Sequence, residues 1–125
     1  MAKKVISIPD APKFPYSPAI RAGDYIFVSG QIGCVDANGN GVKGIEAQTR
    51  LCLEKVKRVL AAAGASLDDV VKVSVFLRNG EDFAKMNEVY QGYFPVDKPA
   101  RSTVITGLVL PTMLIEIDCI AYCQS

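Results

Sequence analysis

The chain has 125 residues, half of them hydrophobic and 22% charged, a size and balance that suit one globular domain over residues 1–125 and exclude a disordered chain. Its 14 basic and 13 acidic residues leave a net charge of +1, too little for a long-range field toward nucleic acid or an anionic membrane. Histidine is absent, which removes the commonest general base, the commonest zinc ligand and every Ser-His or Cys-His nucleophile pair.

The segment up to Pro18 carries Pro9, Pro12, Pro15 and Pro18 and reads as a loop after a short strand near Lys4–Ile8. Lys3-Lys4 is too short for a basic tail, and no apolar run here is long enough for a signal peptide. Nothing in the chain approaches the roughly 18 apolar residues of a membrane span. The expectation is a cytoplasmic protein that does not bind membranes. In that reducing compartment Cys34, Cys52, Cys119 and Cys123 are free thiols.

Tyr25–Ser29 is a compact run of strand formers, a buried strand that ends at Gly30, with Gln31-Ile32 as a possible continuation. Asp36–Gly41 (DANGNG) is a turn, because Asn and Gly tolerate positive φ. It matches the first half of a calcium loop, but the register calls for an acid at Ala47 and no helix precedes it. Gly44–Ala63 has Ile45, Cys52, Val56, Val59, Leu60 and Ala63 in one stripe and predicts a helix, stopped by Gly64. Ser66 with Asp69 forms a capping pair for one short turn.

Val70–Leu77 alternates and predicts a strand. A second helix opens at Asn79 or Gly80, with Phe83, Met86, Asn87, Tyr90 and Phe94 on its inner face. Two strands follow, Arg101–Leu108 and Met113–Cys123, divided by a turn at Pro111. The order β-β-α-β-α-β-β gives an α+β sandwich, two long helices on one face of a sheet.

A few polar residues stand out against this pattern. Arg101 opens an apolar strand and shares a face with Thr103 and Ile105; its guanidinium is either snorkelling to solvent or fixed by an anion. Glu116 and Asp118 share a face of the last strand, opposite the core face of Ile115, Ile117, Cys119 and Ala121. They are either on a solvated face or in a cleft where burial raises a carboxyl pKa for proton transfer. Asn87 sits on an apolar stripe, so a core backbone group or a ligand must satisfy its amide. Tyr16, between two prolines, offers an apolar ring and a hydroxyl, or caps the core. Cys119 and Cys123 are too far apart along a strand for a zinc pair, and no glycine-rich phosphate loop is present.

Together these pieces resemble the RidA/YjgF family of reactive-intermediate (enamine/imine) deaminases. The ordered parts are Pro15-Tyr16, Val28-Ser-Gly-Gln-Ile32, Phe83-Ala-Lys-Met-Asn87 with Tyr90 and Phe94, and Pro99-Ala-Arg-Ser-Thr103 followed by Ile115-Glu-Ile117. The resemblance implies a fold like that of bacterial chorismate mutase and a homotrimer with clefts between subunits. It implies that Arg101 grips a substrate carboxylate and Glu116 holds or activates water. Gly30 would allow close backbone approach, and Tyr16, Asn87 and Thr103 would line the cleft.

The activity implied is hydrolysis of 2-enamino and 2-imino acids, such as 2-aminoacrylate and 2-aminocrotonate, to 2-keto acids and ammonia, with no cofactor or metal. The role is protection of pyridoxal-phosphate enzymes. Thr103 departs from the family pattern, where Cys is frequent; it keeps a hydrogen-bonding group and loses the thiol. Three alternatives stand beside this. One is a non-catalytic trimeric sensor of 2-keto acids. Another is an RNA-directed role, which the charge balance disfavours. The third is chorismate mutase itself, for which the chain has too few cleft cations.

Overall fold

The computed structural model describes residues 2–9 and 13–125. Six strands form one sheet: β1 (Lys4–Ile6), β2 (Ala19–Ala22), β3 (Tyr25–Ile32), β4 (Val70–Leu77), β5 (Ala100–Ile105) and β6 (Ile115–Tyr122), in the order β1-β2-β3-β6-β4-β5. Two helices complete the fold, α1 (Ile45–Ala62) and α2 (Phe83–Tyr93). All neighbouring strands are antiparallel except β4 and β5. β6 lies between β3 and β4, so the connection through α1 joins two parallel strands across it. The connection through α2 joins β4 to β5 in the same direction. Such crossovers are right-handed almost without exception, so both helices fall on one face.

The core is the layer between those helices and the sheet. β4 and β6 contribute Val73, Val75, Leu77, Ile115, Ile117, Cys119 and Ala121, all buried. The expected stripe of α1 is buried at Ile45, Cys52, Val56, Val59 and Leu60; Ala63 is half-buried. Gly64 has φ +81°, the left-handed stop the sequence predicts. Ser66 and Asp69 cap as expected, Asp69 Oδ2 accepting from the Ser66 N–H at 2.9 Å. The 36–41 turn closes on itself: Asp36 Oδ1 accepts from the N–H groups of Asn38 and Asn40, each at 2.9 Å. That carboxylate oxygen is thus engaged by backbone donors.

Several expectations are corrected. The sequence assigns no element to Ala19–Ala22, where the structure has a four-residue strand paired with β1 and β3. It holds because Gly23, at φ +63°, turns the chain tightly back into β3 and because Arg21 donates to the carbonyls of Cys123 (2.8 Å) and Ala63 (3.1 Å). β1 ends at Ile6 rather than Ile8, while β3 runs on through Gln31 to Ile32, the continuation the sequence allows. β5 ends at Ile105 instead of Leu108, and β6 spans Ile115–Tyr122 rather than Met113–Cys123. Arg78 explains the shortening: its guanidinium donates to the carbonyls of Met113 and Leu110, each at 2.7 Å, and fixes the intervening segment as a loop. On α2 only Met86 and Tyr90 are buried; Phe83 is exposed and Asn87 half-buried, so the inner face is narrower than its periodicity suggests.

The sheet face away from the helices is apolar yet open. Val5, Tyr25, Phe27, Val104 and Tyr122 on it are each between 41% and 52% exposed. Among the described residues no helix is long and apolar enough to cross a membrane.

Candidate functional site

Arg101 lies on β5, an edge strand, in register with Val73 of β4. Val73 points into the core, so Arg101 points to the helix side, as does Thr103 opposite Val75. Both are half-buried. α2 packs over them and supplies a wall for the guanidinium. The Arg101 Cζ stands 4.6 Å from the centroid of the Tyr90 ring and 5.8 Å from that of Phe83. Among the described residues no acid lies within ion-pair distance of Arg101; its near side-chain contact is Met86 Sδ at 4.0 Å. A shallow cleft of about 360 Å³ opens beside it, lined by Asn87, Tyr90, Gln91, Lys98, Pro99 and Arg101. Lys98 turns part of its ammonium to the end of α2, donating to the Phe94 carbonyl at 2.8 Å. A guanidinium with an aromatic floor and no acid partner keeps its donor fork available for a planar anion.

Glu116 lies on β6 opposite Phe76 of β4 and Ile32 of β3, on the face away from the helices. Its position depends on a break in the neighbouring strand. The pairing of β3 with β6 shifts register between Val28 and Gln31, a bulge that contains Ser29 and Gly30. A Cβ built on Gly30 would fall onto Oε2 of Glu116. The glycine therefore makes the socket in which the carboxylate rests, which refines the expectation that it serves close approach of its backbone to a ligand.

Burial raises the Glu116 carboxyl above its ordinary 4.5, and the charge of Asp118 on the same face adds to the effect. Burial also raises Asp118, partly offset by a hydrogen bond from Ser74 across the strands. A carboxyl with a raised pKa exchanges protons closer to neutrality.

Tyr16 is 56% exposed, its ring stacked on Phe14 at 5.3 Å. The loop that carries it is tied to β3 beside the bulge: Ser29 Oγ donates to the Ser17 carbonyl at 2.6 Å, and the Ser29 N–H to Pro18 O at 3.0 Å. The predicted residues thus divide into two groups. Arg101, Thr103 and Asn87 gather on the helix side of one sheet edge. Gly30 and Glu116, with the tether of the Tyr16 loop, gather at the centre of the sheet, the glutamate on its opposite face. One copy of the chain does not bring the two groups together.

Sequence reasoning placed Tyr90 only as a core residue, but it forms the floor under Arg101. It missed Gln48, which is 2% exposed within the α1 stripe. The Gln48 amide donates to the carbonyls of Val42 and Thr112 and accepts from the Leu114 N–H, all at 2.9 Å, holding the start of β6 just before Glu116. The signal was present: Gln48 is a polar residue three after Ile45 and four before Cys52, on their side of the helix. The cysteines are free; burial pushes the Cys52 and Cys119 thiols up to about 12, so neither is a nucleophile near neutral pH. Among the described residues no group of three or more His, Cys, Asp or Glu side chains is placed to hold a metal ion.

The structure thus sets two helices on one face of a sheet, an arginine at its edge with no acid partner among the described residues, and a glutamate seated against a glycine bulge on the other face. A family model described as Endoribonuclease L-PSP matches residues 8–123. A RutC family protein of Pyrococcus abyssi is 51% identical over 125 residues, covering 98% of each chain. The 3-aminoacrylate deaminase RutC of Acinetobacter baylyi is 42% identical, covering 98% of this chain and 99% of its own. The structure of E. coli TdcF with bound serine superposes with a TM-score of 0.88 at 35% identity, covering 97% of this chain and 99% of that one. The chain belongs to the RidA/YjgF family, and its fold is the chorismate-mutase-like fold of that family. That kinship supports an enamine/imine deaminase function in broad terms.

Proposed function

We propose that this protein hydrolyses 2-enamino and 2-imino acids, 2-aminoacrylate and 2-aminocrotonate among them, to 2-keto acids and ammonia, in clefts between the subunits of a homotrimer. The observation that carries the reading is Arg101: a half-buried guanidinium on an aromatic floor, without an acid partner among the described residues, at the mouth of a cleft. Its fork donates two parallel N–H bonds to the substrate carboxylate, which holds the adjacent C=N carbon in place. The enamine first takes a proton on carbon and gives one up from nitrogen, becoming the imine. Water then adds to the C=N carbon while Glu116 accepts its proton. Glu116 returns that proton to nitrogen, giving the carbinolamine; transfer of the hydroxyl proton to nitrogen then lets the C–N bond break as C=O forms, and ammonia leaves. The raised pKa of Glu116 suits a group that both takes and returns a proton.

Because Arg101 and Glu116 lie on opposite faces of one sheet, the reading needs Glu116 from a neighbouring copy. The exposed apolar side chains of Tyr25, Phe27 and Tyr122, adjacent on β3 and β6, support such packing, since a monomer rarely leaves a contiguous apolar surface exposed. The Acinetobacter relative is named for 3-aminoacrylate. That is also an amine conjugated to a carboxylate, and it belongs in the same assay as a competing substrate.

The test is keto-acid formation from imine generated in situ. Arg101→Ala should raise KM about 10–100-fold, the loss of a charge-assisted pair, and Glu116→Gln should lower kcat about 10²–10⁴-fold. Binding of 2-keto acid by wild type without any rate increase would leave a non-catalytic binder and defeat the enzymatic reading.

A further inference from the structure

We infer that Tyr90 is the positioning residue for Arg101: the ring of Tyr90, rather than its hydroxyl, sets the plane in which the guanidinium meets the substrate carboxylate. The inference rests on the reading of Arg101 as the carboxylate anchor. A bidentate grip requires the flat guanidinium to be oriented before the ligand arrives, and the arginine side chain has many rotamers to lose. Acidic side chains commonly restrain a buried arginine, but an acid here would occupy the donors that the substrate needs. The structure restrains it while using the donors only weakly, in a long contact of Nη1 with Met86 Sδ at 4.0 Å. Tyr90 is 6% exposed and fixed on α2, its ring 4.8 Å from that of Phe94. The Arg101 Cζ lies 4.6 Å from its centroid, and the more distant Phe83 ring, at 5.8 Å, adds a second aromatic surface. The attraction of a cation for an aromatic face needs no N–H donor.

The hydroxyl fits this division of labour. Tyr90 Oη is buried and makes no hydrogen bond of good geometry; burial raises its pKa, and the nearby Arg101 guanidinium only partly opposes that rise. A buried unpaired hydroxyl costs stability and adds none, and the stacking of Arg101 on the ring face does not depend on it. The residue is therefore conserved in function by phenylalanine and not by an aliphatic side chain.

The test is binding of 2-oxobutanoate, with kcat and KM for the imine, in Tyr90→Phe, Tyr90→Leu, Arg101→Ala and the double variant Tyr90→Leu/Arg101→Ala. Tyr90→Phe should stay within about twofold of wild type. Tyr90→Leu should weaken binding and raise KM about tenfold, the equivalent of roughly 1.4 kcal/mol, with kcat changed far less. In the Arg101→Ala background the same leucine should change nothing further, because its effect acts through the arginine. If the leucine penalty persists without Arg101, or if Tyr90→Phe is as impaired as Tyr90→Leu, the inference fails while the carboxylate reading stands. If Arg101→Ala binds as wild type does, the carboxylate reading itself fails.

A second readout applies should Tyr90→Leu not fold. The Arg101 Nε–H proton resonance should be shifted upfield by the Tyr90 ring in wild type and equally in Tyr90→Phe; an unshifted resonance in wild type overturns the stacking.

Discussion

Two glycines close together on the chain make opposite demands on a substitution. Gly30 leaves room for the end of a flexible side chain, the Glu116 carboxylate, whereas Gly33 leaves room for the backbone of Gln48 on α1. A methyl at position 30 can be accommodated by rotating the glutamate away. Gly30→Ala should therefore keep stability within about 1 kcal/mol of wild type while kcat falls on the order of 10–100-fold, because the carboxylate loses its place. A methyl at position 33 must push α1 off the segment just after β3, so Gly33→Ala should lower stability by about 1–3 kcal/mol. Denaturant titration beside the keto-acid assay separates the two; equal stability losses would show that the Gly30 socket is structural only.

The same glutamate sets a pH dependence. Its carboxyl is raised mainly by burial and secondarily by Asp118, so the basic form should be lost, and kcat should fall, on acidification through a midpoint above 4.5. Asp118→Asn should move that midpoint down, and Glu116→Gln should abolish the limb. The sign for stability is the reverse. A raised folded pKa favours the folded chain below the ordinary value, and that contribution is lost as pH rises through the raised one. Melting curves from acid to neutral pH check this, and no upward midpoint in wild type would remove Glu116 as the titrating group.

At the scale of elements, legibility followed whether a signal was local. α1 was legible because its stripe repeats within one segment, and β4 and β6 because alternation is visible within eight residues. β2 was not: Ala-Ile-Arg-Ala has no strand pattern of its own, and it forms only because a tight turn returns it to β3. The site residues were legible by type through their ordered resemblance. Their division between two faces was not, because it depends on β4 standing between β5 and β6, a long-range pairing no single segment encodes. Gln48 marks the same boundary, its polar signal local and its partners at Val42, Thr112 and Leu114 distant. Gln48→Leu keeps the volume but leaves those buried backbone groups unpaired, each worth roughly 1–3 kcal/mol. A loss of about 3 kcal/mol is expected in a thermal or denaturant melt; a change under 1 kcal/mol would mean that water replaces the amide.

At the scale of the whole molecule the separation of Arg101 from Glu116 becomes a test of assembly. On the proposal above, each site takes its arginine from one subunit and its glutamate from the next around a closed ring. Arg101→Ala and Glu116→Gln trimers should each be nearly inactive. In a trimer holding both kinds of chain, one of the three interfaces joins a subunit with an intact Arg101 to a neighbour with an intact Glu116, whichever chain is in the majority. Refolding the two variants together at equal amounts makes about three trimers in four mixed, so activity should return to roughly a quarter of wild type. Two groups within one subunit would give no recovery at any ratio, since each chain carries its own lesion. Phe27→Glu, a charge on the open apolar face, should release the 13.5 kDa chain as a folded monomer on sedimentation and lose the activity with it. Recovery without assembly, or an active monomer, would place both residues in a site that one chain completes alone, against their positions on opposite faces of the sheet.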